Sequence, residues 1–349
     1  MARKKIKPFS KLKKVLIAFG IVLFLSLLLI GFDFYLKIYA PAITITNDDP
    51  YLYIPTGSSY ENLLAIISQK KISHSIEDFD WVAGKMNLPS NVKPGKYRLQ
   101  PRMSNYALAF LLRSGNQEPV KLVIKKFRLK ADLVSFISKK LEVDSLVLIT
   151  SLNDSVYLRN YSLKPDESMA LFIPNTYEFK WNTSTEQFLQ RMKREHDTFW
   201  NEQRLQKATA LNLNTTQVTT LASIIEEETN YNPEKPRIAE VYLNRIKKGM
   251  LLQADPTVKF AMKNFEIKRI RFTHLSFVSP YNTYLNTGLP PGPICNPSIA
   301  SIDAVLNAER GDYIYFCADP DKPGTHAFAK NYKQHQLNAL RYQRWLNQR

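Results

Sequence analysis

The feature that most constrains this chain is an apolar run without a single charge, Val15 to Phe32. Its 18 residues are about the length that spans a bilayer as a helix and exceed the usual apolar core of a signal peptide. Arg3, Lys4, Lys5, Lys7, Lys11, Lys13 and Lys14 precede it with no acid among them, and Phe32, Phe34 and Tyr35 close it with aromatic rings suited to a membrane interface. A basic flank stays on the cytoplasmic side, so everything after about Tyr35 is expected outside. The competing reading is a cleavable signal, with Ala40-Pro41-Ala42 as a faint cleavage-like site; length and flanks favour an uncleaved anchor. No second run compares with it. The expectation is a single-pass protein of the cytoplasmic membrane with a large extracytoplasmic part.

The rest of the 349-residue chain is long enough for two or three compact domains, and 44% hydrophobic with 23% charged residues is ordinary globular composition. The net charge of +17 suits an anionic partner such as lipid headgroups or an acidic glycan. Export and the lack of an interleaved basic-aromatic motif argue against nucleic acid. Cys295 and Cys317 form no metal-binding pattern and are read as unbridged core residues.

Local signals divide the chain. Residues 1–14 form the basic tail, 15–35 the transmembrane helix and 36–49 a connector. From Pro50 to Lys125 the pattern runs strand, helix, helix, turn, strand, helix, strand. Ser58 with Glu61, Ser75 with Asp78, and Ser104 announce the helices, and Gly115 stops the last of them. Strand-helix-helix-strand order at this size resembles a LysM-like glycan-binding module, against the plainer reading of an α+β spacer. Residues 126–349 form a second, larger unit. Its apolar spacing predicts helices over 130–147, 185–205 and 236–247, and a helix capped by Thr215 or Thr216 that leads into Leu221-Ala222-Ser223-Ile224-Ile225-Glu226-Glu227-Glu228-Thr229. The expected fold class is therefore α+β: a single N-terminal transmembrane helix, a small LysM-like module, then a mixed α+β catalytic domain.

Several chemistries lack their residues. There is no GxSxG or SxxK for serine hydrolysis, no HExxH or Cys/His cluster for zinc, and no glycine-rich phosphate loop. No cofactor or metal is implied. What remains is carboxylate chemistry. Glu226, Glu227 and Glu228 follow one another where neighbours on a helix point about 100° apart, so they cannot share a face. One of them must turn toward the apolar side or a cleft floor, where desolvation raises a carboxyl pKa. A carboxyl kept protonated near neutrality is what a general acid needs. Taken alone, the triplet reads more readily as surface charge. Downstream loops rich in Tyr, Asn, Pro and Gly change that balance, since tyrosine stacks on sugar faces and amides bond to hydroxyls.

Five blocks then carry a resemblance. They are Leu221–Thr229, Val241-Tyr242-Leu243-Asn244-Arg245, Met250-Leu251-Leu252-Gln253-Ala254-Asp255-Pro256-Thr257-Val258, Tyr281-Asn282-Thr283-Tyr284 and Gly288-Leu289-Pro290-Pro291-Gly292-Pro293-Ile294, followed by His326-Ala327-Phe328. In order and spacing they resemble the MltG (YceG-like) family of endolytic murein transglycosylases, along nearly the whole chain. The stretch from Lys263 to Val278 departs from the family pattern. The resemblance implies a membrane-anchored lyase that cuts nascent peptidoglycan strands at MurNAc–GlcNAc β-1,4 bonds and leaves 1,6-anhydro-MurNAc ends, terminating elongation. It implies glycan strands as substrate and peptidoglycan synthases as partners. The family's catalytic glutamate precedes the motif threonine, which here is Glu228. Glu226 matches the first glutamate of the motif and is expected to support it; Glu227 takes the variable position and is expected in solvent. Gln253, Asp255, Tyr281, Asn282 and Tyr284 are the expected sugar-binding wall, each with loop bracing as its alternative. A hydrolytic muramidase using Asp255 as second acid, and a non-catalytic wall-binding scaffold, are the competing functions.

Overall fold

The computed structural model describes residues 11–45 and 49–348. The basic residues before Lys11 and part of the connector lie outside them. Helix α1 spans Lys11–Tyr39, longer than the apolar run at both ends, and buries none of its residues. Among the described residues it is the one helix long and apolar enough to cross a membrane. The protein forms two compact units, one that contains α1, ends at Pro119 and includes 180–182, the other holding 120–179 and 183–349.

The first unit continues with β1 (Tyr51–Ile54), α2 (Tyr60–Gln69), α3 (Ile76–Lys85), β2 (Gly95–Arg98) and α4 (Asn105–Ser114). β1 and β2 pair antiparallel, with Tyr51 opposite Arg98 and Ile54 opposite Gly95. The two-residue period of β1 sends Leu52 and Ile54 inward, onto Leu63 and Ile67 of α2, Phe79 of α3 and Leu108 and Leu112 of α4. Ser75 and Ser104 cap α3 and α4 as their spacing predicts, and Gly115 takes the left-handed conformation (φ +71°) that ends α4. α2 starts one residue later than expected: Ser59, not Ser58, is its cap, in a reciprocal box with Asn62 rather than Glu61. The end of α1 is fastened to this unit. Asn105 Nδ2 donates to the Lys37 carbonyl (3.0 Å), Lys37 pairs with Asp78 (3.7 Å), and Phe34 and Tyr39 meet Trp81 and Tyr106 at 5.3 and 5.6 Å.

The second unit opens with β3 (Val120–Val123), which pairs antiparallel with the next strand in the chain, β4 (Thr176–Phe179). Between them lie α5 (Lys130–Ser138), α6 (Ser145–Ser151) and α7 (Ser155–Leu158). The single helix expected over 130–147 is two, because Asp144 caps a new start by accepting from the Leu146 and Val147 amides. The helix expected over 185–205 is likewise α8 (Thr185–Phe199) and α9 (Glu202–Ala210), broken where Trp200 turns into the core and Asn201 caps the restart. α10 (Thr215–Glu228) is capped by Asn214 in a box with Gln217, rather than by Thr215 or Thr216; asparagine is the better cap. α11 (Lys235–Lys247), α12 (Asp255–Ala261), the short α13 (Phe272–Leu275) and α14 (Ile299–Leu306) follow. The hairpin of β5 (Tyr315–Ala318) and β6 (His326–Ala329) and helix α15 (Tyr332–Asn347) complete the chain.

α10 is the axis of this unit. Every residue from Val218 to Ile225 is buried. Leu221, Ala222, Ile224 and Ile225 pack with Ile238 and Tyr242 of α11 and Ile302 and Val305 of α14. An all-round buried helix is a core helix, and its last turn is where it leaves the core.

Candidate active site

That last turn carries Glu226, Glu227 and Glu228, and helical geometry sends them to three different surroundings. Glu226 accepts from Ser298 Oγ (2.6 Å), Ser301 Oγ (2.5 Å) and Lys235 Nζ (3.0 Å). Burial works against its charge, but these hydrogen bonds and the lysine outweigh it and hold the carboxyl below its ordinary value. Glu227 is not the solvated member of the three. Its side chain is 12% exposed, receives a forked pair of bonds from Arg128 (2.8 and 3.1 Å) and meets Lys126 at 3.1 Å. Burial is again overcome, and this carboxyl too stays below its ordinary value.

Glu228 is the opposite case. Its surroundings supply one short hydrogen bond, from Tyr242 Oη to Oε1 (2.6 Å). Burial pushes the carboxyl from 4.5 up to about 7; the Tyr242 bond and the charge of His326 pull it back, and the charge of Asp255 pushes it up again. Tyr242 is fully buried, edge-on to Phe316 at 5.7 Å. Burial and the neighbouring Glu228 hold its phenol far above its ordinary value, so it remains a donor. The Tyr242 bond leaves Oε2, the other carboxyl oxygen, unengaged by this donor. The arrangement is a carboxyl that holds a proton near neutrality and can also carry charge against a fixed O–H.

Glu228 lies in a cleft of about 310 Å³ lined also by Tyr242, Arg245, Gln253, Asp255, Tyr284 and His326. Arg245 builds one wall. Its guanidinium donates to the carbonyls of Ile314 (2.7 Å), Leu251 (3.1 Å) and Leu252 (2.8 Å) and to Gln253 Oε1 (3.3 Å), tying α11 to the hairpin and to the loop before α12. Gln253 has a left-handed backbone (φ +52°), a conformation that costs a non-glycine residue about 1 kcal/mol. It is held there by its amide bond to the Thr283 carbonyl (3.1 Å). Thr257 and Thr283 join hydroxyls at 2.9 Å, tying α12 to the loop that carries Tyr284. Asp255 opens α12, and Tyr284 Oη donates to its Oδ1 (2.6 Å).

The structure thus brings Glu228, Gln253, Asp255 and Tyr284 together. Tyr281 and Asn282 do not line the cleft. Asn282 is fully buried, and its amide donates to the carbonyls of Leu275 and Phe277 (2.8 Å each). Tyr281 packs on Phe260 (4.8 Å) and donates to Asp166 (3.2 Å). Both brace the loops that present Tyr284. The Gly288–Ile294 block docks on α10 itself, where the Ile294 amide donates to buried Ser223 Oγ (2.9 Å). A side chain at Gly292 would overlap the Asp166 backbone. Beyond this block Asn296 bonds the Lys125 carbonyl and the Phe127 amide, fixing the segment after β3 that carries Lys126 and Arg128 to Glu227. Both cysteines are free, with Cys295 buried and Cys317 partly so.

The sequence blocks contain Tyr242, Arg245 and His326 without marking any of them as a site residue. Tyr242 stands 14 residues from Glu228 inside one of the quoted blocks, where nothing local shows what its hydroxyl meets. His326 is tied at Nδ1 to Glu234 Oε2 (2.8 Å), and its amide bonds Oε1 of the same carboxylate (2.8 Å). That pairing spans 92 residues and leaves no local trace.

Residues 52–341 match the YceG-like family. The chain is similar to an endolytic murein transglycosylase of Bacillus subtilis (strain 168), 29% identical over 310 residues that cover 83% of each protein. It is also similar to an endolytic murein transglycosylase of Streptococcus pneumoniae serotype 2, 25% identical over 373 residues, covering 95% of this chain and 66% of that one. Among solved structures, a YceG-like protein of Listeria monocytogenes superposes with a TM-score of 0.56 at 30% identity, covering 82% of this chain and 97% of that one.

Proposed function

This chain belongs to the YceG-like family, and on that premise we propose that it is a lytic transglycosylase of peptidoglycan with Glu228 as its acid and base. The observation that carries the reading is the state of Glu228: one carboxyl of three, in a cleft, pushed up to about 7 and bonded by a buried tyrosine. Such a group is poised to give a proton and take one back near neutral pH.

The reaction balances without water. Protonated Glu228 donates to the oxygen that links MurNAc C1 to GlcNAc O4. The C1–O bond breaks, GlcNAc leaves with a hydroxyl, and positive charge develops at C1. The Glu228 carboxylate, held by Tyr242, then accepts the proton of the same MurNAc's C6 hydroxyl as that oxygen bonds to C1. The product end is 1,6-anhydro-MurNAc and Glu228 is protonated again. One carboxyl serves both steps, unlike the two-acid glycosidases. Gln253, Asp255 and Tyr284 form the wall against the sugar, with Asp255 held by Tyr284. Glu226 supports the helix end from outside the cleft through Ser298, Ser301 and Lys235.

α1 anchors the enzyme in the cytoplasmic membrane as a single pass with its N-terminus inside, so that it cuts within nascent strands where they emerge and ends their elongation beside the synthases that make them. The β1-α2-α3-β2 order with its antiparallel pair supports a LysM-like, glycan-holding role for the first unit. The test is mass spectrometry of the ends released from purified sacculi. Wild type is expected to yield anhydro ends and Glu228→Gln none, while circular dichroism shows the variant folded. Ends heavier by one water would assign a muramidase instead. Persisting anhydro products in the variant would remove Glu228 from the chemistry.

A further inference from the structure

Beside the catalytic cleft lies a larger cavity, about 940 Å³, formed by the 267–275 segment together with Asp255 and Tyr284. Asp255 and Tyr284 line both spaces. We propose that this cavity is a subsite for the carboxylates of the peptide stems that project from the glycan strand, an inference that rests on the peptidoglycan reading above.

The charge of the cavity has no internal use. Lys268, Arg269 and Arg271 all line it and are exposed, and none is in an ion pair among the described residues. The one acid on the wall, Asp255, accepts from Tyr284. His274 also lines it, its ring held by the Arg271 amide donating to Nδ1 (3.1 Å). With its lactyl groups amide-linked to the stems, the strand backbone is neutral and offers these three cations no counter-charge. Each MurNAc, however, carries a lactyl-linked peptide whose free carboxylates match the forked donors of arginine. A sugar held against Asp255 and Tyr284 therefore has its charged substituent within reach of a cationic cavity that shares those two residues.

The test compares two substrates with the full-length protein in detergent: glycan strands bearing stems, and the same strands with their stem carboxylates converted to primary amides, because stripping the stems would uncover a lactyl carboxylate on every MurNAc. The variant is Lys268→Gln with Arg269→Gln and Arg271→Gln. On stemmed strands it should raise KM about tenfold with kcat nearly unchanged, the size expected for losing two or three exposed charge contacts. On amidated strands variant and wild type should agree. Arg271→Lys, which keeps the charge, should fall between them, and an unchanged melting temperature excludes unfolding. Equal losses on both substrates would assign the cations to the sugar backbone, and no loss on stemmed strands would leave them without substrate; either overturns the proposal. A stem-bearing disaccharide binding to Glu228→Gln protein, with and without the triple change, gives the same comparison independently of turnover. Wild type releasing no anhydro ends from either substrate would instead sink the transglycosylase reading, while the binding comparison would still decide the subsite.

Discussion

The two sides of the α10 terminus are built from the same residue type within one helical turn, yet they are electrostatic opposites. On the packed side, Glu226 and Glu227 are buried enough to suffer desolvation and are held charged by Ser298, Ser301, Lys235, Arg128 and Lys126. On the cleft side, Glu228 meets burial with one tyrosine bond and a more distant histidine charge, and burial wins. Burial alone therefore does not decide a carboxylate's state. The number of donors aimed at it does, and here the fold supplies donors to two glutamates and withholds them from the third.

The largest test of this contrast exchanges the two sides. Glu228→Gln should lower kcat by about 10²- to 10⁴-fold, the range of a lost general acid. It should also stabilise the protein in a pH-dependent way. A carboxyl whose folded pKa is raised binds its proton more tightly in the native state, so its favourable contribution is complete below pH 4.5 and lost by about pH 7. The melting temperature of the variant should thus gain on wild type from pH 4.5 to 7 and hold its lead above. A gap that shrinks with pH would mean that Glu228 is held charged. Glu227→Gln should do the reverse. Activity should stay within a fewfold while stability drops by about 2 kcal/mol, because Arg128 and Lys126 lose a partly buried partner. For a unit of this size that is about 4–8 °C in melting temperature. A Glu227→Gln protein that melts normally but is inactive would move the chemistry to the packed side.

How far the sequence foretold this follows the range of each interaction. The α1 span, the Ser75 and Ser104 caps and the Gly115 stop are settled within a few residues, and each is legible. The glutamate triplet was legible as a site through the spacing of its blocks, and the 100° rule correctly required that its members diverge. Their destinations were not legible. Glu227 looked solvated because Arg128, its partner, lies 99 residues upstream. Tyr242 looked like an apolar helix position because only the folded contact reveals what its hydroxyl meets. Asn282 looked like a sugar ligand because an amide in a polar loop carries no sign of whether it faces a cleft or two carbonyls. The same limit hid the β3–β4 pair, whose strands are separated by three α-helices and two 3-10 turns.

A smaller effect should come from Tyr242→Phe, which removes the one hydrogen bond on the cleft side. That bond favours the charged form, so its loss should raise the Glu228 pKa further and carry the alkaline limb of the pH–rate profile to higher pH. It should also cost about 10- to 100-fold in kcat, since the carboxylate formed in the first step loses a bond of the charge-assisted kind. An alkaline limb that moves to lower pH would mean that Tyr242 stabilises the protonated acid instead.

The smallest expected change separates field from contact. His326 lines the same cleft, is anchored by Glu234, and acts on Glu228 through charge rather than through a hydrogen bond. Its charge favours the charged carboxyl, so His326→Asn should move the alkaline limb in the same direction as Tyr242→Phe but by less, with kcat at low pH nearly preserved. High salt should leave the Tyr242→Phe profile where it is and narrow the difference between wild type and His326→Asn, because screening weakens a charge acting across a cleft far more than a 2.6 Å hydrogen bond. If His326→Asn instead abolished turnover at every pH, the histidine would be touching the reacting sugar, and the cleft side would hold two working groups where the contrast with the packed side requires one.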